Sequence, residues 1–440
     1  MRQGYRGFTQ TQGYESRRTF LRLGTLGLAG LALTDPCLGG VRGEEPALKG
    51  KVKAVIQIHL SGGPSHLDTY DPKPDAPSEF RGEFGTIPTR VAGIRLCEHF
   101  PRQASLIDKL TIIRSVHHAT ADHAGGTHWM MSGFAPIEPT PRVNERPSLG
   151  SVVARLEGAR RPGMPAYVGI PDAPAFGQAA YLGPAYNPLG LAGDPARQAR
   201  PANLEIPQGL TFDRLDDRRS LLAQLDRIER ERDASGMMEA MDRFTANAYE
   251  MATGPRARQA FDLDREDPKT RDRYGRTSIG QGCLLARRLV EAGTTFVTVT
   301  EPGWDHHTEV FPQCRRKLPA LDAAIAGLVE DLHQRGLNEQ VLVLVWGEFG
   351  RTPRINGSGG RDHWPDCMSV VLAGGGIPTG LTLGATDRKG ERPIERPLRP
   401  EDLLRTVYFV LGIDSQREFL NEAGRPLPIL NQGQPIAELL

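Results

Sequence analysis

From about residue 51 the chain alternates short, nearly unbroken apolar runs with longer stretches of helical period. The runs are VKAVIQIHL (52–60), KLTIIRS (109–115), PAYVGI (165–170), TTFVTVT (294–300), QVLVLVW (340–346) and MSVVLAG (368–374). A strand with one wet face alternates apolar and polar residues. Most of these do not, which is the pattern of strands covered on both faces of a parallel sheet. Between them, residues 321–335 carry apolar side chains at helical spacing and stop at Gly336, and Pro319 just ahead suits a helix start. Residues 280–292 read the same way and stop at Gly293. This succession predicts an α/β fold, a doubly wound and mostly parallel sheet with helices on both faces. Residues 212–275 break the pattern: they are charged, helical in period and without strands. They are expected to form a helical insert whose charges are either a solvated face or a contact for substrate.

The first 45 residues differ in kind. SRRTFLRLGTLGLAGLAL sets Arg17, Arg18 and Arg22 before a Gly-rich apolar stretch, 23–33, too short to span a bilayer comfortably. Residues 16–22 resemble a twin-arginine export signal; the alternative is a short basic anchor helix. The expected organisation is a signal and linker over 1–45 and one large domain over 46–440. Export would run through the twin-arginine machinery to the periplasm or envelope, with no stable membrane span after processing. That route carries folded proteins, so a site would be loaded inside the cell. The net charge of +1, from 54 basic and 53 acidic residues, gives no field that favours nucleic acid. Five cysteines without a CxxC pair exclude a disulfide framework or a zinc knuckle.

In open α/β sheets, ligands bind beyond the carboxyl ends of the strands. Four polar clusters stand there: SGGPSHLDTYDPKP (61–74), VHHATADHAGGTHWMMSG (116–133), EPGWDHH (301–307) and GEFGRTPRINGSGGRDHWP (347–365). Nine of the 11 histidines lie in or beside them. Histidine with Asp and Glu suits a divalent metal such as zinc, manganese or calcium. The metal candidates are Asp68, Asp305, His307, Glu348 and His363, with His123 beside them. Each has a structural alternative. Asp68 could cap a helix, Asp305 and His307 could be a plain hydrogen-bonded pair, and an Asp–His pair could lock the loop around His363. Residues 305 and 307 can share a face that His306 cannot, because neighbours in an extended segment point opposite ways.

Two further stretches carry a resemblance. LDAAIAGLVEDLHQRGLNEQVLVLVWGEFG (321–350) resembles the segment before the metal-binding SDHG turn of sulfatases and related phosphatases, and PEDLLRTVYFVLGI (400–413) resembles a helix near their C-terminus. With SGGPSHLDTYDPKP, GWDHH, GEFGRTPRIN, GGRDHWP and GATDRKGERP, the chain from about 52 to 414 resembles the domain-of-unknown-function 1501 family. These are exported bacterial proteins usually placed in the alkaline phosphatase–sulfatase superfamily. The resemblance implies that Asp68 replaces the first-strand aspartate and that Asp305 and His307 match the later Asp/His pair. It sets Glu348 on the SDHG aspartate and His363 on the last histidine. Phe349 stands where that motif has a ligand, and the signature CxPxR is absent, so a formylglycine sulfatase is not expected. His123 falls on the modified-cysteine position. Thr127, His123 or a water on the metal could be the nucleophile, and Arg351 could stabilise anionic charge.

The expected function is an exported metal-dependent hydrolase of phosphate or sulfate esters, acting on a small-molecule or glycan ester. The alternative is a metal-holding binding or envelope protein on a degenerate hydrolase scaffold. A dehydrogenase is disfavoured, because SGGPS after the first strand is not GxGxxG.

Overall fold

A strand covered on both faces must offer apolar side chains to two layers at once. The six apolar runs do so in a computed structural model, which describes residues 50–191, 193–197, 250–251 and 254–440. They become β1 (Ala54–Leu60), β2 (Leu110–Val116), β3 (Tyr167–Ile170), β5 (Phe296–Glu301), β6 (Val341–Trp346) and β7 (Met368–Gly374). Two short edge strands, β4 (Leu189–Gly190) and β8 (Leu381–Leu383), complete an eight-stranded sheet of order β8-β2-β7-β6-β1-β5-β3-β4. Every pairing is parallel except those of β7, which runs antiparallel to both β2 and β6.

The strand period of two sorts side chains onto the two faces. Ala54, Ile56, Ile58 and Leu60 of β1 share one core with Val341, Val343 and Val345 of β6. That core is closed by α5 (Ser278–Ala292) and α6 (Val310–Gln334). Val55, Leu342, Leu344 and Trp346 face the other way, onto α2 (Leu149–Glu157) and α7 (Pro400–Leu411). The fold is thus α/β, with a mostly parallel sheet between two helical layers.

The helix expected from 321 starts earlier, at Val310, so Pro319 lies inside α6 rather than ahead of it. Pro319 is exposed, as is Arg315 one turn earlier. The carbonyl that loses its partner therefore faces water, and the usual cost of an interior proline falls. The helix read from 280 starts at Ser278, where the Thr277 hydroxyl accepts from the Gly280 N–H. The export signal, and residues 212–249 of the expected insert, lie outside the described residues. The rest of that stretch holds α3 (Pro255–Phe261) and α4 (Pro268–Tyr274), which pack against α5 and α6. Among the described residues no helix is long and apolar enough to cross a membrane.

Candidate metal centre

The three central strands, β6, β1 and β5, end together, with His59 of β1 opposite Thr300 of β5 and Trp346 of β6. The loops that follow are pressed close. Gly62 adopts φ +115°, and a Cβ there would lie 2.4 Å from the Asp305 nitrogen. Only glycine allows this approach, and it carries the Gly62 N–H to Glu348 Oε1 at 2.8 Å. His123 is the first residue of α1 (His123–Ser132), which Asp122 caps by accepting from the Gly125 N–H. Because β7 runs backwards, the chain reaches this edge again before it. A short ladder pairs Gly350–Arg351 with His363–Trp364, setting His363 opposite Arg351.

Asp305 is the hub. Its Oδ1 lies 3.0 Å from His307 Nε2 and 3.2 Å from His363 Nε2, and its Oδ2 lies 3.3 Å from His123 Nε2. The two imidazole nitrogens of His307 and His363 face each other at 3.0 Å. Each ring is held from behind by an acceptor. His123 Nδ1 meets Glu348 Oε1 at 2.6 Å, His307 Nδ1 meets Asp362 Oδ1 at 2.7 Å, and His363 Nδ1 meets the Ala121 carbonyl at 2.6 Å. A carboxylate or carbonyl can only accept, so each Nδ1 carries a proton, and each Nε2 is turned toward Asp305, placed either to donate to that carboxylate or to ligate a cation.

The electrostatics agree. Burial opposes ionisation of Asp305, but the Arg351 guanidinium at 2.5 Å outweighs it and holds the carboxyl well below the usual range. Burial also works against Glu348, yet the bond from His123 brings its carboxyl down to about 2. In return the Glu348 carboxylate raises His123 above an ordinary imidazole.

The arrangement redistributes the roles read from the sequence. Asp305, His307, His363 and His123 come together. Asp68 does not join them: it is buried, and Arg361 binds its Oδ2 at 2.8 Å and Oδ1 at 3.2 Å. Glu348 faces away from the shared point, being tied to His123 and the Gly62 N–H. Arg351 is wholly buried and donates to the carbonyls of Gly62, Gly63 and Arg361 as well as to Asp305, so it positions that carboxylate and does not present itself to an anion. The Thr127 hydroxyl is donated to the His123 carbonyl at 2.7 Å. His306 is buried apart, its Nε2 3.0 Å from the Gly303 carbonyl and its Nδ1 3.7 Å from Cys314 Sγ.

Three supporting groups stand in or beside the clusters read from the sequence, but their roles are not assigned there. Asp362 orients His307; His118 Nε2 donates to the Glu348 carbonyl at 2.5 Å; and buried His59 lies 3.5 Å from Glu348 Oε2. The last had a signal, a histidine inside an otherwise apolar central strand.

The family model described as "Protein of unknown function (DUF1501)" matches residues 52–440. The chain belongs to that family. No curated protein matches it. Solved structures similar to the chain include the sulfatase PsFucS1 from Pseudoalteromonas sp., at 11% identity and TM-score 0.36 over 83% of this chain and 68% of that one. Another is the phosphonate monoester hydrolase of Agrobacterium radiobacter, at 10% identity and TM-score 0.32 over 88% and 78%. A third is the lipoteichoic acid synthase LtaP from Listeria monocytogenes, at 9% identity and TM-score 0.36 over 85% and 76%.

Proposed function

We propose that this protein is a metal-dependent hydrolase of phosphate or sulfate esters, exported through the twin-arginine route. One observation carries the reading: three histidines turn their Nε2 atoms toward a single carboxylate, each ring held from behind by an acceptor. These atoms stand 3.0 to 3.3 Å apart, close enough for one cation to lie among them in place of shared protons. The ligand atoms around a zinc-sized ion stand roughly 3.3 Å apart, so the spacing fits. His123, Asp305 and His363 have ligand atoms all within 4.8 Å of one another. The donor set of imidazoles with one carboxylate suits zinc or manganese better than calcium.

In this reading Asp305, His123, His307 and His363 hold the ion. Glu348, Asp362 and the Ala121 carbonyl fix the ring orientations, as the outer partners of metal-bound histidines do. Arg351 keeps Asp305 ionised and fixed. A divalent ion here supplies the positive charge that polarises an ester's phosphoryl or sulfuryl oxygen. His123, at the start of α1, borders the cavity where the ester would sit.

A second reading, a metal-holding protein without turnover, draws on Arg351 and Thr127. The cation is saturated and buried, and the hydroxyl is already donated. Metal content of the purified full chain, together with a panel of phosphate, phosphonate and sulfate esters, separates the two. Bound metal with turnover that is lost in Asp305→Asn supports the hydrolase; bound metal without turnover supports the second reading; no bound divalent metal overturns both.

A further inference from the structure

Beside the centre lies a cavity of about 400 Å³, into which His123, Asp305 and Glu348 face from one side. The remaining walls include Ser61, Ala124, Thr127, Ala175, Phe176 and Gly303. We propose that Phe176 sets specificity here, selecting esters whose alcohol part is flat and apolar, such as a phenyl group, over polyol or polyanionic ones. This rests on the hydrolase reading of the same site.

The first support is how Phe176 is held. It adopts φ +54°, a left-handed conformation that a bulky side chain rarely takes. The neighbouring backbone is stapled in place. Asn144 donates to the Phe176 carbonyl at 2.9 Å, and Ser148 and Ser151 donate to the Gly177 carbonyl at 2.7 and 3.0 Å. The Ala179 N–H donates to Asn187 at 2.8 Å. Strain kept by so many contacts presents the ring in one position, half-buried and nearly perpendicular to the His128 ring, 5.9 Å away.

The second support is what the walls do not offer. A sugar brings several hydroxyls, and those that meet these walls find few partners. Ser61 supplies one hydroxyl, and the hydrogen of Thr127 is already given to His123. No arginine or lysine lines the cavity among the described residues. Lys317, nearest the Gly303 wall, is engaged by Glu301 at 3.0 Å and the Pro302 carbonyl at 2.8 Å. A second anionic group would find no free cation, whereas an aromatic ring would find Phe176, Ala124 and Ala175.

The test titrates metal-loaded full-length protein with phenylphosphonate and with methylphosphonate in a calorimeter, so it does not depend on turnover. The wild type should bind the phenyl compound about tenfold more tightly, the scale of an aromatic pair with its buried area. Phe176→Ala should erase that preference and leave methylphosphonate affinity unchanged. Phe176→Gly, which relieves the left-handed backbone and so folds at least as readily, should behave the same. Equal affinity of the wild type for both compounds would overturn the proposal, as would an equal loss for both in the variants, or binding of neither by protein that holds its metal. Each of those results leaves metal retention intact, whereas the hydrolase reading fails through absent metal or absent turnover.

Discussion

Two aspartate–arginine pairs lie near the carboxyl edge of the sheet, and they have opposite fates. Asp68 and Arg361 are both fully buried, and the arginine reaches both carboxylate oxygens. Its other N–H groups go to the carbonyls of Phe80, Thr352 and Pro353. That pair is closed: every strong donor and acceptor is matched within the protein. In the Asp305–Arg351 pair the arginine is equally buried, but Asp305 is 44% exposed, and the guanidinium takes only Oδ1. The aspartate faces the Nε2 atoms of three imidazoles at 3.0 to 3.3 Å. A carboxylate's neighbours decide its role: matched donors make a structural clamp, and surplus acceptors make a cation site.

The largest expected effect tests the closed pair. Asp68→Asn leaves a buried guanidinium without its counter-charge and should cost about 3–5 kcal/mol in denaturant unfolding, with metal affinity of the folded fraction unchanged. A variant that unfolds normally but loses metal would place Asp68 in the centre after all.

Next comes the open pair. His307→Ala should weaken metal binding more than about 100-fold, beyond the loss seen for outer partners, and leave the metal-free fold within roughly 0.5 kcal/mol. His306→Ala should do the reverse, costing about 2 kcal/mol for the cavity it opens and keeping the metal. Metal titration and unfolding of both variants check this; matched losses of metal would erase the distinction between the neighbours. Glu348→Gln, which weakens the support behind His123, should lower metal affinity by about 10–100-fold. Unchanged affinity would mean that His123 is not a ligand.

The smallest effect comes from a third arginine–carboxylate pair, on the surface. Arg396 holds Glu438 by two bonds, 2.7 and 2.9 Å, and these lower the Glu438 carboxyl to about 2. A depressed carboxyl stabilises the fold fully above its unfolded value and loses that contribution as pH falls toward 2. Both side chains are about 40% exposed, so solvent screening limits the term to below about 1 kcal/mol. Glu438→Gln should therefore lower stability by less than about 1 kcal/mol at pH 7, and that deficit should vanish as pH falls from 5 to 2 in acid titration (roughly the span from the unfolded to the folded value).

The sheet was legible because strands buried on both faces are mostly apolar: β6 is so throughout, and β1 is so but for Gln57 and His59. The edge strands β4 and β8, of two and three residues, are too short to leave such a run. The reversal of β7 left no mark in its residues, since a buried strand reads the same in either direction. That Asp305, His307, His363 and His123 meet at one edge could be expected because each follows a strand of the sheet or precedes β7. The roles of Asp68, Glu348 and Arg351 could not. Position along the chain shows that a charge reaches the edge, but not which partner meets it there; Arg361, far along the chain from Asp68, decides that case.

The backward run of β7 has a consequence for how this family can change. The peptide leaving β6 turns round at the same edge instead of crossing the sheet, and the ladder between Gly350–Arg351 and His363–Trp364 clips the base of the turn. Glu348 and Arg351 are supplied on the way out, and Asp362 and His363 on the way back. Glu348, Arg351, Asp362 and His363 thus lie on one uninterrupted segment, 348–363, so a change in its length would shift four groups of the centre at once while the strands beneath stay the same.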